Sequence, residues 1–550
     1  MRWVREHEAL ALVIFWLALA LILIGLLHGA VGTPGMFYDE GWLAQQGRAF
    51  VDPEREGALP PGTQSLEILG RSLPLFALPY LGSLKSQLLI PWFFAFGNEL
   101  EALRLATLVN ALLALLATMF CVRRIFGLET ALLTAVLLVS DPTVFFHAQW
   151  EWGPFTTGWL CRAVGAALLL RSYAVGGRAS ACAGGFALGL SGYNRADSVL
   201  VLASVGLGLL AFHRRELATV WHQRRRDIRA ASGFFLLGAL PILLNLPRVL
   251  GTYAELSNRG NFAERIRTMW TTLDGSYVHR LMEVGGRFDA MQNAPAPFAL
   301  FGLMLFLVLV FTVASGLRGR GAELRDGRGA LAISCVAVIA SMLALEGATR
   351  AHHALNHVPL THTLIAATLV SLGRCATPVW SRVAATTCAV ALIASNANSI
   401  TSTRELIERT GGRGWWSGAI AELGGELEAG PQSTAVSFDW GFHLPLLFLT
   451  ESTRVIEPIW EVEATVMKHG VWDFEGDATH RYLVHDEPYD RFGFGPRLLT
   501  AARAHKSMGR PVEIRSYHDR EGVTAFLTIA IRGPHRIVLK RGTGIRIEFN

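Results

Sequence analysis

Two adjacent carboxylates, Asp39 and Glu40, follow Tyr38 shortly after an uncharged apolar run at residues 9–27. An ionised carboxylate at such a position can take a proton from a hydroxyl or hold an incoming nucleophile. The competing reading is local. Asp39 would N-cap an amphipathic helix through 41–50, and Glu40 would favour its dipole. A third acid, Glu151, stands between Trp150 and Trp152 and precedes Gly153-Pro154. It reads as a second acid facing the first across a cavity, or as a solvated acid in an interfacial aromatic belt. Asp141-Pro142, just upstream, reads as a helix-ending step, because the residue before a proline is pushed out of the helical region.

Four cations stand near the same side: Lys85, Arg104, Arg195 and Arg350. A phosphate leaving group needs positive charge that does not reorganise during reaction. Each cation taken singly also fits a long side chain reaching for the membrane interface. Arg195 interrupts two short apolar stretches, and broken stretches of this kind tend to line a cavity. Asp197, two residues on, competes with any phosphate for it. A last group is Arg350-Ala351-His352-His353, then His357 and His362, with the last two placed inside an apolar span. It reads as a metal site of unknown identity or as polar groups hydrogen-bonded inside a bundle.

The elements that must position these residues are membrane helices. Of 550 residues, 51% are apolar and 17% charged, and the mean hydropathy is +0.35. Soluble domains carry about 25% charge. Apolar runs are centred on 9–27, 103–122, 128–146, 155–172, 180–193, 197–212, 231–250, 297–316, 329–346, 354–373 and 379–396. Together they predict about eleven spans, most of them long enough for a bilayer core of roughly 30 Å. The first run exceeds the roughly 7–15 residues of a signal sequence and reads as an uncleaved span. Arginine-rich connections recur at Arg123-Arg124, at Arg171 with Arg178, at 213–229, at 318–328, and at Arg374 with Arg382. Short basic loops stay in the cytoplasm, which places the N-terminus inside. The segments 28–100, 147–154, 194–196, 251–296 and 347–353 then lie outside, with everything after about 397. The net charge of +6 is accounted for by topology, without a nucleic-acid surface. The six cysteines, Cys121, Cys161, Cys182, Cys335, Cys375 and Cys388, lie in or beside apolar spans and form no metal spacing or disulfide framework.

The chain divides into a transmembrane domain, 1–397, and a soluble α/β domain, 398–550. β-branched runs at 433–439, 454–459 and 480–485 alternate with helical patterns at 415–428 and 496–506, and 512–516 and 523–531 read as paired late strands. Residues 398–414, rich in Asn, Ser, Thr and Gly, read as the linker.

The order of features resembles the C-type glycosyltransferases of the membrane, of the family 39 type, a superfamily that includes protein O-mannosyltransferases and lipid A aminoarabinose transferases. The likeness runs from about residue 9 to about 375. Tyr38-Asp39-Glu40 is similar to the acidic pair of the first outer loop. Tyr80-Leu81-Gly82-Ser83-Leu84-Lys85, Pro91, Phe96-Gly97 and Arg104-Leu105 follow in the family's order, and the next span ends in Arg123-Arg124-Ile125-Phe126-Gly127. Glu151-Trp152-Gly153-Pro154 resembles the second acidic motif, with Glu where Asp is commoner. Residues 189–197 (GLSGYNRAD) resemble the segment whose cation meets the donor phosphate. The family's His-Lys-Pro-Pro is absent from the first loop, and only Lys85 remains of it.

The resemblance implies transfer of a hexosyl or pentosyl sugar from a polyprenyl-phosphate donor to a lipid, glycan or protein acceptor on the outer face of a bacterial inner membrane, with inversion. Asp39 would act as base or orient the nucleophile, and Glu40 and Glu151 would shape the site. Lys85, Arg195 and Arg350 would hold the departing phosphate, with Arg104 opening the second span. No cofactor is required, and a divalent metal has a place. A transporter or flippase for a lipid-linked or amphiphilic substrate is the alternative from another class, and a scaffold whose tail binds partners is a third. Transporters often carry paired broken helices, and the 180–212 pattern has no second copy.

Overall fold

The computed structural model describes residues 7–28, 31–54, 59–60, 62–256, 262–297, 299–317, 327–344, 351–374, 379–430, 433–540 and 545–549. Arg350 and Cys375 lie outside the described residues, as does most of the basic segment 318–328. The chain is mostly helical and ends in a domain built on β-sheet.

Apolar run 9–27 forms α1 (Glu8–His28), and α2 (Tyr38–Val51) carries Asp39 and Glu40. A meander follows: β1 (Gln64–Ile68), β2 (Arg71–Leu78) and β3 (Leu81–Gly82). β1 and β2 are joined by Leu69-Gly70, with φ of 54° and 73°. Two positive-φ residues make the tight turn that matches the twist of paired strands. Then come α3 (Leu84–Phe96), α4 (Leu100–Phe126), α5 (Leu128–Ser140), α6 (Pro142–His147), α7 (Phe155–Val175), α8 (Arg178–Asn194) and α9 (Ser198–Gly238). Asp141 ends α5 and caps α6, its carboxylate accepting from the Val144 amide at 2.9 Å. The Asp-Pro step therefore divides the span predicted over 128–146. Further on lie α10 (Phe262–Leu273), α11 (Tyr277–Glu283), α12 (Phe301–Leu317), α13 (Arg328–Ala344), α14 (Leu360–Arg374) and α15 (Val379–Thr410).

Three predictions are corrected here. The basic stretch 213–229 is helical rather than a loop, and α9 passes through it with non-helical angles only at His213 and Arg224. Before the break Gly208 packs against the Ala330 backbone of α13, and after it Gly185 of α8 packs against Ala231. Arginines are good helix formers, so a basic connection between two packed helices need not unwind. The span predicted over 231–250 is divided among the end of α9 and the short helices Leu240–Leu244 and Leu246–Leu256. Pro241 and Pro247 sit at their starts, where a missing N–H is tolerated. The linker predicted at 398–414 is helical through Thr410. Gly411 and Gly412, at φ 71° and 89°, stop it.

Among the described residues four helices are long and apolar enough to cross a membrane: Glu8–Leu27, Leu100–Phe126, Ser198–Gly238 and Val379–Thr410. Leu128–Ser140, Phe301–Val313 and Arg328–Ala344 are apolar and shorter. Hydropathy predicts about eleven spans, more than these four satisfy by length.

The C-terminal region contains α16 (Ala419–Ala429), β4 (Thr434–Ser437), α17 (His443–Leu449), β5 (Arg454–Ile456), α18 (Ile459–His469), β6 (Val471–Gly476), β7 (His480–Val484), α19 (Gly495–Ser507), β8 (Val512–His518), β9 (Thr524–Ile531), β10 (His535–Lys540) and β11 (Ile545–Phe549). One sheet has the order β5-β4-β7-β9-β8. Its β4 pairs in parallel with β5 and β7, and β8-β9 is the antiparallel pair the late strands predict. A second sheet, β11-β10-β6, is antiparallel.

The C-terminal region is docked closely on residues 35–48. A Cβ at Gly35 would stand 2.1 Å from the Ser417 carbonyl oxygen, and one at Gly41 would stand 2.9 Å from the Leu444 backbone. Arg48 of α2 donates to the carbonyls of Phe448 and Thr450. One apolar core runs across the junction, and it includes Phe37, Trp150, Trp152, Trp416 and Val436. Phe37 stacks on Trp416 with ring centroids 4.1 Å apart.

Candidate functional site

Five separate segments meet around one cavity of about 220 Å³. Its wall holds Asp39 and Trp42 of α2, Tyr80 from the turn between β2 and β3, Gly153-Pro154 ahead of α7, Arg195 between α8 and α9, and His352 and His353. Each segment is placed by an ordinary local rule. Asp39 sits in the first turn of α2, where a carboxylate favours the helix dipole. It is not the N-cap, as one reading of the sequence had it: Phe37 holds that position and makes no side-chain cap. Arg195 ends α8 in an extended conformation before α9 begins at Ser198, as the interrupted apolar pattern predicts.

Arg195 is 4% exposed. Its guanidinium donates to the Asp197 carboxylate and to the His352 carbonyl, and it lies 2.9 Å from His353 Nδ1. Asp197 thus takes up one side of the cation. Arg162, inside α7, adds a second buried guanidinium within electrostatic range of Arg195 and Asp197. It donates to Ser198 Oγ at 3.0 Å, and its Nη2 has no partner among the described residues. Trp42 Nε1, from the cavity-lining ring, is also a buried donor without a partner among the described residues. Arginine inside the apolar run 155–172 is the signal that points to Arg162, because an intramembrane charge is costly and tends to be functional.

The other candidate residues form locked pairs. Glu40 and Arg104 make a two-pronged ion pair, both contacts at 3.0 Å, with each residue 2% exposed. Lys85 Nζ lies 2.8 Å from Glu151 Oε2, with side chains 1% and 0% exposed. Glu151 also accepts from the Thr156 amide and from Thr156 Oγ1. Burial raises the Glu151 pKa, and the charge of Lys85 opposes it. Asp39 and Arg195 share the cavity, then, while Lys85 and Glu151 are not among the residues that line it.

The histidines separate into two groups. His352 and His353 line the cavity. His357 and His362 are buried and hydrogen-bonded, with Thr361 Oγ1 2.9 Å and 3.3 Å from their Nδ1 atoms. His362 Nε2 is 3.1 Å from Asp141. His353 lies in the short helix Ala351–Ala354 and His357 in the helical turn that follows it, and α14 starts only at Leu360. Among the described residues no three His, Cys, Asp or Glu side chains gather as a metal site.

No family model and no curated protein matches the sequence. Solved structures do match over most of the chain. The crystal structure of ArnT from Cupriavidus metallidurans bound to undecaprenyl phosphate is 12% identical, covering 94% of this chain and 97% of that one, with a TM-score of 0.50. The same protein in the apo state is 13% identical, at coverages of 95% and 98% and a TM-score of 0.47. An Archaeoglobus fulgidus oligosaccharyltransferase tethered to an acceptor peptide is 14% identical, covering 83% of this chain and 65% of its own, with a TM-score of 0.49.

Proposed function

From a chain with the fold of the C-type membrane glycosyltransferases, we propose a glycosyltransferase that moves a sugar from a polyprenyl-phosphate donor to an acceptor at the outer membrane face. The observation that carries this reading is the convergence of Asp39, Arg195 and two histidines on one cavity, from segments that are distant in sequence. The ArnT structure of the same fold holds undecaprenyl phosphate, and the chemistry of the cavity suits such a ligand.

The transfer is a single displacement. The acceptor oxygen attacks the anomeric carbon, and its proton passes to the Asp39 carboxylate. The bond from that carbon to the phosphate oxygen breaks, its electron pair leaves on the phosphate, and the anomeric configuration inverts. Arg195, with Arg162 behind it, stabilises the growing negative charge. Asp197 and the His352 carbonyl hold the guanidinium in place before the donor arrives, so little reorganisation is left for the reaction. Trp42 Nε1 donates to the sugar or the phosphate. Lys85–Glu151 and Glu40–Arg104 brace the loops around the cavity. Among the described residues the cavity wall offers Asp39, His352 and His353 to a divalent cation, beside the arginine that carries the positive charge. The N-terminus is cytoplasmic and the C-terminal domain, from about residue 398, lies outside the cytoplasm of a bacterial cell, as the basic connections imply.

Two measurements test the reading together. Purified protein binds undecaprenyl phosphate, and deletion of the gene removes one class of glycosylated envelope product while its lipid-linked donor accumulates, by mass spectrometry. Binding with no change in glycans or lipid-linked sugars would favour transport over transfer.

A further inference from the structure

The outer side of α2 meets the C-terminal domain at Glu457, and the displacement described above does not use this residue. Glu457 lies in the turn from β5 to α18, and its side chain is 3% exposed. Oε2 accepts from the Tyr38 hydroxyl and from Trp460 Nε1, each at 2.8 Å, and it lies 3.5 Å from His443 Nδ1. Oε1 is buried and has no hydrogen-bond partner among the described residues. A buried carboxylate oxygen left unmatched is costly, and native proteins keep few of them without a functional reason.

The surroundings connect this residue, through Tyr38, to the start of the helix that carries Asp39. Tyr38 precedes Asp39 in the chain, and its ring stacks on Trp440 with centroids 4.8 Å apart. On the same tryptophan lies the Arg491 guanidinium, 4.9 Å from the ring centroid. Burial lowers the Arg491 pKa, and the charges of Asp439 and Asp39 oppose that. Trp42, on the cavity wall, meets the Tyr38 ring edge-on at 6.2 Å. The C-terminal domain therefore brings a carboxylate and an aromatic ring onto Tyr38, the residue before Asp39, and a cation onto that ring.

We propose that Glu457 is an acceptor-binding residue, its Oε1 accepting a hydrogen bond from an acceptor hydroxyl as the acceptor approaches Asp39. The acceptor is then a hydroxyl-bearing molecule, neutral or cationic at that point, because a carboxylate repels a phosphate or a second carboxylate. This rests on the transfer reaction proposed above.

The test uses the full chain. Undecaprenyl phosphate binding to purified protein reads the donor side, and the glycosylated product restored to a deletion strain reads transfer. Glu457→Gln binds undecaprenyl phosphate like the wild type and restores about tenfold less product, the effect of weakening a hydrogen bond to a charged group. Tyr38→Phe removes the bond to Oε2 that crosses between domains and leaves Oε1 untouched, so it loses no more than about threefold. Equal losses in the two variants would make Glu457 a strap between domains and overturn the proposal. So would product within about twofold of wild type in Glu457→Gln. If Glu457→Gln does not accumulate, Glu457→Asp replaces it and is read against the same outcomes. Wild-type protein that binds no undecaprenyl phosphate overturns the transfer reading itself, independently of Glu457.

Discussion

The pairs Glu40–Arg104 and Lys85–Glu151 and the cluster of Asp39, Arg195, His352 and His353 use the same residue types for different ends. In the pairs each charge faces an opposite charge at 2.8–3.0 Å, and every member is nearly inaccessible. In the cluster, Asp39 is half-buried and lines an open cavity. Arg195 is paired with Asp197 and bonded to the His352 carbonyl, yet it also lines the cavity, with a second guanidinium in range. A closed pair has little left to offer a ligand, whereas a charge on a cavity wall can act on one. Removing one member of a buried pair strands the other, so the two regions should fail in different ways.

The largest effect is expected at Asp39. Asp39→Asn keeps the shape and most hydrogen bonds and removes the proposed base, so transfer falls by about 10²–10⁴-fold while thermal stability stays the same. Turnover within about threefold of wild type would reduce Asp39 to a helix-dipole residue. Next come the closed pairs. Lys85→Ala or Glu151→Ala leaves a buried charge alone, at about 3–5 kcal/mol, and is read as loss of folded protein in detergent. Lys85→Met combined with Glu151→Leu restores the folded yield. A Glu151→Gln variant that folds normally yet loses transfer would move Glu151 into the cavity group.

Arg195 gives a smaller and more selective effect. Arg195→Lys keeps the charge but loses the planar fork, so undecaprenyl phosphate binds about tenfold more weakly. Arg195→Ala abolishes binding. Unchanged affinity in the lysine variant would mean that the guanidinium serves Asp197 and the His352 carbonyl and not a phosphate. The smallest effect belongs to an exposed pair, Arg374 with Glu129, 2.9 Å apart and more than half exposed on both sides. Arg374→Ala changes stability by no more than about 1 kcal/mol, which sets the scale for the buried pairs.

Apolar runs, the break at Arg195, the Asp141-Pro142 step and the strands β4, β5 and β7 were legible in the sequence, whereas their parallel pairing was not. Their signals act over a helical turn or a strand, so periodicity and proline geometry suffice to read them. The hairpin at Leu69-Gly70 was missed because leucine rarely takes a positive φ. Arg162 was missed although its place inside an apolar run marked it. Only tertiary structure decided which charges are neutralised. Glu40 meets Arg104 across 64 positions, and Tyr38 meets Glu457 across 419. No local pattern encodes such partners, because a buried charge takes its value from whatever the packing of distant elements brings beside it. The residue types that could do chemistry were therefore visible from the start. Which of them stand open to a cavity, and which are closed against one another, followed from the fold.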